Sequence, residues 1–455
     1  MKKLNFALLW AMLVVFWAVG PVQSALAGTY NGGNGSAEKP YRISTPQNMN
    51  EIGTDLGDWG SHFVMVNDVN LADYTGTEFN IIGNSIKQFV GVFDGNDHTV
   101  SNFTYTTTDT DYIGLFGWVD DANAMIKDLT LVDPNVNTAG ESDFVGSLVG
   151  VLINGTVTGC GVEGGSVSGG DDATGGLVGG NFYGGTISNC HAATSVTGND
   201  NETGGLVGGN IYGGTISNCY ATGSVTGGNF GTGGLVGSDC EGGTISNCYA
   251  TGSVTGYGNY TGGLVGCGAY STTITNCYAT GSVTGGEYCS GGLAGGNTYG
   301  STITNCFATG NVVGGNYTGG LVGYNSDSTI SGSFWDVETT GQSSSAGGEG
   351  KTTAQMQSMT TFTDAGWDFV GEEGNGTDDI WSIHEGINYP VFVWEIVNFV
   401  GWYEVDMLDF AFFADRWMNT DCGNWNDCDG TDINFSDSVD MADLVIFANH
   451  WLVGK

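Results

Sequence analysis

Five oxygen-bearing side chains near the C-terminus, Asp432, Asn434, Ser436, Asp440 and Asp443, stand at positions 1, 3, 5, 9 and 12 of one loop, and the Ser438 carbonyl takes position 7. Hard oxygen donors at that spacing can wrap one Ca2+. The sixth position, where the turn prefers glycine, is Asp437, so modest affinity is expected. A helix should follow the loop, because Leu444, Phe447 and Trp451 recur at i, i+3 and i+7 and make one apolar face that a partner could cover. The same pattern occurs 34 residues earlier, where Asp406, Asp409, Phe413 and Trp417 match Asp440, Asp443, Phe447 and Trp451. Its loop positions 1, 3 and 5 are Asn398, Val400 and Trp402. Hydrocarbon and indole cannot ligate calcium, so one ion, bound by the second loop only, is expected. Cys422 and Cys428 lie between the copies, and a bridge or two free thiols both remain open there.

Other chemistry-bearing residues point less clearly to a site. A glycoside hydrolase needs two carboxylates facing each other across a sugar. Asp171, Asp172 and Asp200 are the nearest acids in the middle of the chain, but they sit in glycine-rich connections at one equivalent edge and read as a solvated acidic turn. A lyase would require a basic residue, and there is no Lys or Arg between Lys127 and Lys351. The chain therefore reads as non-catalytic; the alternative is a carbohydrate-active β-helix enzyme, a polysaccharide hydrolase or lyase, delivered by its tail to a polysaccharide-degrading complex. A formal charge of −39 repels phosphate backbones and makes nucleic acid an unsuitable partner.

The elements that must carry these residues come from a repeat. A GGLVG-like pentapeptide places Leu148, Leu177, Leu206, Leu235, Leu264, Leu293 and Leu321 at spacings of 29, with 28 for the last. Ile187, Ile216, Ile245, Ile274 and Ile303 keep the register, as do Val196, Val225, Val254, Val283 and Val312. Three short β-type runs separated by glycines cannot bury a core alone. Stacked as parallel coils about 4.8 Å apart, they can. The expected fold is thus all-β, a parallel β-solenoid of roughly 29-residue coils continuous from about residue 80 to 340, with Leu115, Ile126 and Leu129 in divergent first coils. A small α-helical module follows it.

Three side-chain columns run along that stack. Cys160, Cys190, Cys219, Cys248, Cys277 and Cys306 read as small buried residues, because parallel in-register neighbours suit disulfide torsions poorly. Cys240, Cys267 and Cys289 fall outside the column, where one bridge is conceivable. Asn189, Asn218, Asn247, Asn276 and Asn305 should form an amide ladder. His191, Tyr220, Tyr249, Tyr278 and Phe307 are either generic stacking or a sugar-binding strip.

At the N-terminus, Lys2 and Lys3, the apolar run from Phe6 to Val19 and the Ala25-Leu26-Ala27 triplet have the parts of a cleaved secretory signal, so an extracellular protein beginning at Gly28 is expected, with no membrane span after cleavage. The expected organisation is a signal over 1–27, an N-terminal capping segment with divergent coils over 28–140, the repeat solenoid over 141–340, a C-terminal cap over 341–395 and the loop-helix module over 396–455.

The unit GGLVGG, GTISNCYATG, SVTGG resembles the Glug motif of bacterial extracellular repeat proteins, some of them adhesin-like, over roughly Gly146 to Gly323. The segment with GVFDGNDHTVSNF is similar to one that often precedes such repeats, except that Asp97 stands where glycine is expected. The duplicated loop and helix resemble a type I dockerin over about 396–455. That resemblance implies calcium-dependent docking to a cohesin-like domain of another protein, with the solenoid free to meet a carbohydrate or a cell-surface ligand.

Overall fold

The computed structural model describes residues 30–455 apart from 139, 141, 373, 377, 398–406, 421, 423–427, 429–430, 434–437 and 451–455. The expected signal and Gly28 lie outside the described residues.

The chain is a parallel β-solenoid of about nine coils of ~29 residues. One face is an eight-stranded sheet running from Phe116–Asp120 to Val322–Ser326, with one strand from each of eight successive coils. A shorter six-stranded sheet runs from Thr174–Gly175 to Asn316–Gly319. The remaining strands, such as Thr215–Ser217, Tyr220–Ala221 and Val225–Gly227, make the long third face. Equivalent residues pair directly from coil to coil: Val207 with Val236, Ile216 with Ile245, and Val225 with Val254. Each run is too short to be stable alone, and its edge is satisfied by the coils above and below.

The repeated leucines are fully buried, and the repeated isoleucines and cysteines are buried with them in one continuous core. The paired glycines permit this closeness. A Cβ on Gly234 would stand 2.0 Å from the Gly263 carbonyl oxygen, so no larger residue fits where the chain turns into the leucine. In the first coils bulk replaces regularity: Ile126 pairs with Val157, Leu129 takes the cysteine position ahead of Cys160, and Phe63, Phe89, Phe93 and Phe116 interlock.

Parallel pairing begins at Tyr41–Ile43 against His62–Met65, well before the start expected from the repeat register, because these coils keep the pleat without the repeat sequence. A helix over Pro46–Ile52 interrupts them; Thr45 caps it by accepting the Asn48 N–H at 3.1 Å, and its Met49 and Ile52 are buried in the core. At the other end, Phe334–Asp336 pairs with Glu349–Lys351. Asp97, with Asn96 before it, has φ of 59° and 51°, which explains why glycine is expected there and why a short polar side chain serves instead.

The asparagine column forms the expected ladder: Asn218 donates to Asn189, Asn247 to Asn218 and Asn276 to Asn247 at 3.2–3.3 Å. All five asparagines also have left-handed backbones, with φ of 51–53°. The residue thus satisfies two demands, a turn and a cross-coil bond. Asn247→Gly should lose only the amide, whereas Asn247→Ala should also strain the turn and be less stable by about 1 kcal/mol. Urea midpoints of the two variants test this; equal midpoints would reject the backbone part of the argument.

Candidate functional site

The cysteine column is built as a packing device. All six column thiols are buried and free. The N–H of Cys160, Cys190 and Cys219 each donates to the sulfur of the next cysteine at 3.4 Å, while the Cys219 thiol donates to the Ser217 carbonyl at 3.1 Å. Burial holds the Cys190, Cys219, Cys248 and Cys277 thiols far above their usual range, so they are poor nucleophiles and poor metal ligands. Cys240, Cys267 and Cys289 are also free, on different strands. Cys422 and Cys428 are bridged, with Cα atoms 4.9 Å apart.

The aromatic column is not an open sugar strip. His191, Tyr220, Tyr249, Tyr278 and Phe307 stack at 4.9–5.1 Å, and the chain after the last coil folds back along the side of the solenoid to cover them. Trp394 lies over Tyr220 and Tyr249, Phe392 over Tyr278, and Trp381 and Trp367 over Phe307. His191 additionally meets Glu163 at 2.7 Å. The column is therefore a docking rail for the protein's own C-terminal segment. Its covering partners lie far away in sequence, and the repeat pattern alone carries no sign of them.

One acid is trapped in that contact. The Glu395 carboxylate accepts the Tyr278 hydroxyl at 2.9 and 3.0 Å and the Phe392 N–H at 2.9 Å. Burial nevertheless raises its pKa from 4.5 to about 7, the two donors offsetting only part of the effect. The folded state holds the proton more tightly than the unfolded chain, so this stabilisation is complete below 4.5 and is lost as pH rises through 7. The melting temperature of the docked segment should fall between about pH 5 and pH 8, by the equivalent of roughly 3 kcal/mol. Glu395→Gln should flatten the profile. An unchanged slope in that variant would show that Glu202, also raised to about 7 by burial and by Asp172, carries the pH dependence instead.

The acids considered for hydrolysis sit on adjacent coils at one corner. Asp171 is half-buried, and its pKa is raised first by a side-chain hydrogen bond with Asp200. Asp172 accepts from Asn201 at 2.7 Å, and Asp200 accepts from Asn229. They stand one above another along the stack.

The C-terminal calcium candidates are divided by the described residues. Asn434, Ser436 and Trp451 lie outside them. Asp432 and Asp443 are buried, Ser438 is partly buried and Asp440 is exposed. Asp443 accepts the Asp440 N–H at 2.9 Å, and Asp440 in turn accepts the Ala442 N–H at 2.8 Å, which fixes the start of a helix over Met441–His450. Asp409, the counterpart of Asp443, is likewise buried, near the start of the helix Met407–Asp415. The second loop touches the chain just after the first helix, through Met418 N–H to the Val439 carbonyl at 2.9 Å and Val439 N–H to the Asn419 carbonyl at 3.0 Å. The helices meet through Phe413 and Phe447, stacked at 5.2 Å. Phe447 is thus buried within the module, and Leu444 keeps partial exposure beside the exposed Val445. Of the apolar face expected to meet a partner, Phe447 is already spent on the first helix.

Sequence reasoning misses two further features. Asn181 donates to Asn210, and Asn210 to Asp239, in a second and buried amide ladder; burial raises the Asp239 pKa well above the normal carboxylate range. On the outside of the last regular coils, tyrosines 260, 288, 299, 317 and 324 line a cleft of about 420 Å³. Position-by-position comparison of the repeats could have revealed part of it, because Tyr260, Tyr317 and Tyr324 stand where the preceding coil carries Gly231, Cys289 and Gly296.

A family model identifies the repeat. The GLUG motif matches residues 170–197, 199–226, 257–284 and 286–313. A "Putative Gly-rich membrane protein" of Evansella cellulosilytica is 33% identical over 146 residues, 31% of this chain and 16% of that protein. Halomucin of Haloquadratum walsbyi is 33% identical over 158 residues, 32% of this chain and 2% of its own length. The match thus spans less than a fifth of either relative. A solved structure titled as a "putative immunoglobulin A1 protease" from Bacteroides ovatus aligns over 80% of this chain and 95% of its own, at 18% identity and a TM-score of 0.45. Among the described residues, no helix is long and apolar enough to cross a membrane. The chain is a parallel β-solenoid carrying GLUG-motif repeats.

Proposed function

We propose that the chain is an exported, non-catalytic binding scaffold, fastened to a partner protein by a calcium-dependent C-terminal module of the dockerin kind. The observation that carries this reading is the burial of Asp432 and Asp443, at positions 1 and 12 of the second loop, immediately before a helix packed on its duplicate. A carboxylate is withdrawn from water at substantial cost, and a divalent cation between such groups offsets it. The donors are Asp432, Asn434, Ser436, the Ser438 carbonyl, Asp440 and Asp443. When bound, the ion would neutralise the clustered charge and hold the loop against the helix start. The partner of this reading is a cohesin-like domain, met by Leu444, Phe447 and Trp451. With Phe447 facing the first helix, Leu444 and its exposed neighbours carry more of the contact.

Capture of a cohesin domain by the full chain should require calcium and should be lost on chelation or on removal of 396–455. Calcium-independent capture would reject the docking mechanism. Export should leave Gly28 as the first residue, and mass spectrometry finding Met1 on the extracellular protein would refute the cleavage site. The enzymatic alternative draws on Asp171 and Asp200, since a raised carboxyl beside a second acid is a pattern that glycosidases use. Their placement one above the other along one corner of the stack, not facing each other across a cleft, favours the non-catalytic reading. Reducing-sugar release abolished by Asp171→Asn or Asp200→Asn would reverse that preference.

A further inference from the structure

We propose that the tyrosine-lined cleft on the last regular coils binds a neutral polysaccharide. Two rows of left-handed residues border the outward face of the eight-stranded sheet. Tyr183, Tyr212, Glu241, Tyr270, Tyr299 and Asp327 form one row, with φ between 52° and 59°. Glu202, Gly231, Tyr260, Cys289 and Tyr317 form part of the other, with φ between 51° and 65°. A left-handed residue at the edge of a strand tips its side chain over that face. The second row is aromatic in the first coils, where Tyr112 and Phe144 pack against Trp118 and Phe182, and it holds alanine, glutamate and glycine at 173, 202 and 231 before Tyr260.

In the last coils the aromatic residues return and leave a space between their rings. A Cβ on Gly296 would meet the Tyr260 ring at 2.6 Å, so one edge of this ring covers a glycine. One coil later the glycine is replaced by Tyr324, which stands edge-to-face against Tyr317 at 5.7 Å and 70°. The space between these rings is the cleft of about 420 Å³, closed on its sides by Tyr288 and Tyr299. Tyr299 stacks on Tyr270 at 4.6 Å, and Asp327 takes the next position in its row. Tyr288, Tyr299 and Tyr317 are 43%, 58% and 60% exposed, so their rings do not serve the core.

The lining selects among ligands. Aromatic faces attract the C–H surfaces of sugar rings, while the phenols and the hydroxyls of Thr298 and Ser326 match sugar hydroxyls. The volume lies in the range of small-ligand clefts. With no Lys or Arg between Lys127 and Lys351 and a net charge of −39, uronates and sulfated glycans are repelled. A neutral chain is the class that remains. Burial raises the Tyr260 pKa to about 12, which keeps its hydroxyl a donor at neutral pH. The inference does not depend on the C-terminal module.

The full chain should be run in native affinity gels containing xyloglucan, galactomannan or mixed-linkage β-glucan, with polygalacturonate as the charged control. At least one neutral gel should retard it, and polygalacturonate should not. Tyr299→Asn and Tyr317→Asn, made separately, should each weaken retardation about tenfold. Asparagine suits these left-handed positions, as Asn154 with φ of 55° shows in the row of Tyr299, so circular dichroism should be unchanged. Tyr183→Asn, in the same row but remote from the cleft, should keep full retardation. No retardation in any neutral gel, equal retardation by polygalacturonate, or undiminished binding by both cleft variants would overturn the proposal. So would capture of a protein through these tyrosines without glycan binding.

Discussion

Calcium titrated into the full chain at raised ionic strength should show one saturable site that disappears in the Asp432→Ala, Asp443→Ala double variant. Raised salt matters because a chain of net charge −39 gathers divalent ions loosely over its whole surface, and that background is screened while a site with several inner-sphere oxygens is not. Subtracting the double-variant isotherm leaves the loop. The first loop should add nothing, since Val400 and Trp402 occupy two of its ligand positions. With calcium at about a hundred times its dissociation constant, the module should gain roughly 2.7 kcal/mol against unfolding. Chelation should remove that gain, melting the helices Met407–Asp415 and Met441–His450 before the solenoid. Asp440→Asn should weaken binding less than Asp432→Ala, because an amide oxygen still ligates. A stoichiometry of two, or no binding with both helices intact, would show that the spacing of oxygens misleads here.

The parts of this protein that were legible in its sequence are those where identical residues meet identical residues. A parallel coil places Leu235 beside Leu264 and Asn218 beside Asn247, so a 29-residue period in the sequence becomes a column in space, and burial and hydrogen bonding follow from residue type. Even the cysteine column could be read in this way, as a row of small buried groups. Contacts between unlike segments were not legible. Nothing in Tyr220, Tyr249 and Tyr278 distinguishes an open ladder from one covered by Trp394 and Phe392, because the covering residues come from outside the repeat. The tyrosine cleft escaped for the opposite reason. It arises where Tyr260, Tyr317 and Tyr324 depart from the repeat consensus, and a reading that seeks period treats departure as noise. The irregular first coils beginning at Tyr41 illustrate the same limit, since their pairing has no periodic signature.

Replacing Trp381 by alanine should release the C-terminal segment from the solenoid and cost about 3–5 kcal/mol of its docking stability. The indole is fully buried and touches Phe392 at 4.3 Å, Trp367 at 4.7 Å and both Tyr278 and Phe307 at 6.2 Å. It is therefore the joint between the aromatic column and the residues that cover it, and no neighbour can close the cavity without breaking another ring contact. In chemical unfolding the variant should show an early transition reported by tryptophan emission, while the far-ultraviolet β-signal persists to the wild-type midpoint. The newly exposed rings of Tyr249, Tyr278 and Phe307 should bind a hydrophobic dye. Tyr212→Ala, which removes a ring exposed on the opposite corner, should leave the unfolding curve nearly unchanged, because its stacking partner Tyr183 is equally exposed. The contrast separates the two aromatic systems on this solenoid: one is a rail on which the chain seats its own tail, and the other faces water. A loss below about 1 kcal/mol for Trp381→Ala would mean that the segment is only loosely laid against the column, and would return the column to consideration as a surface for something else.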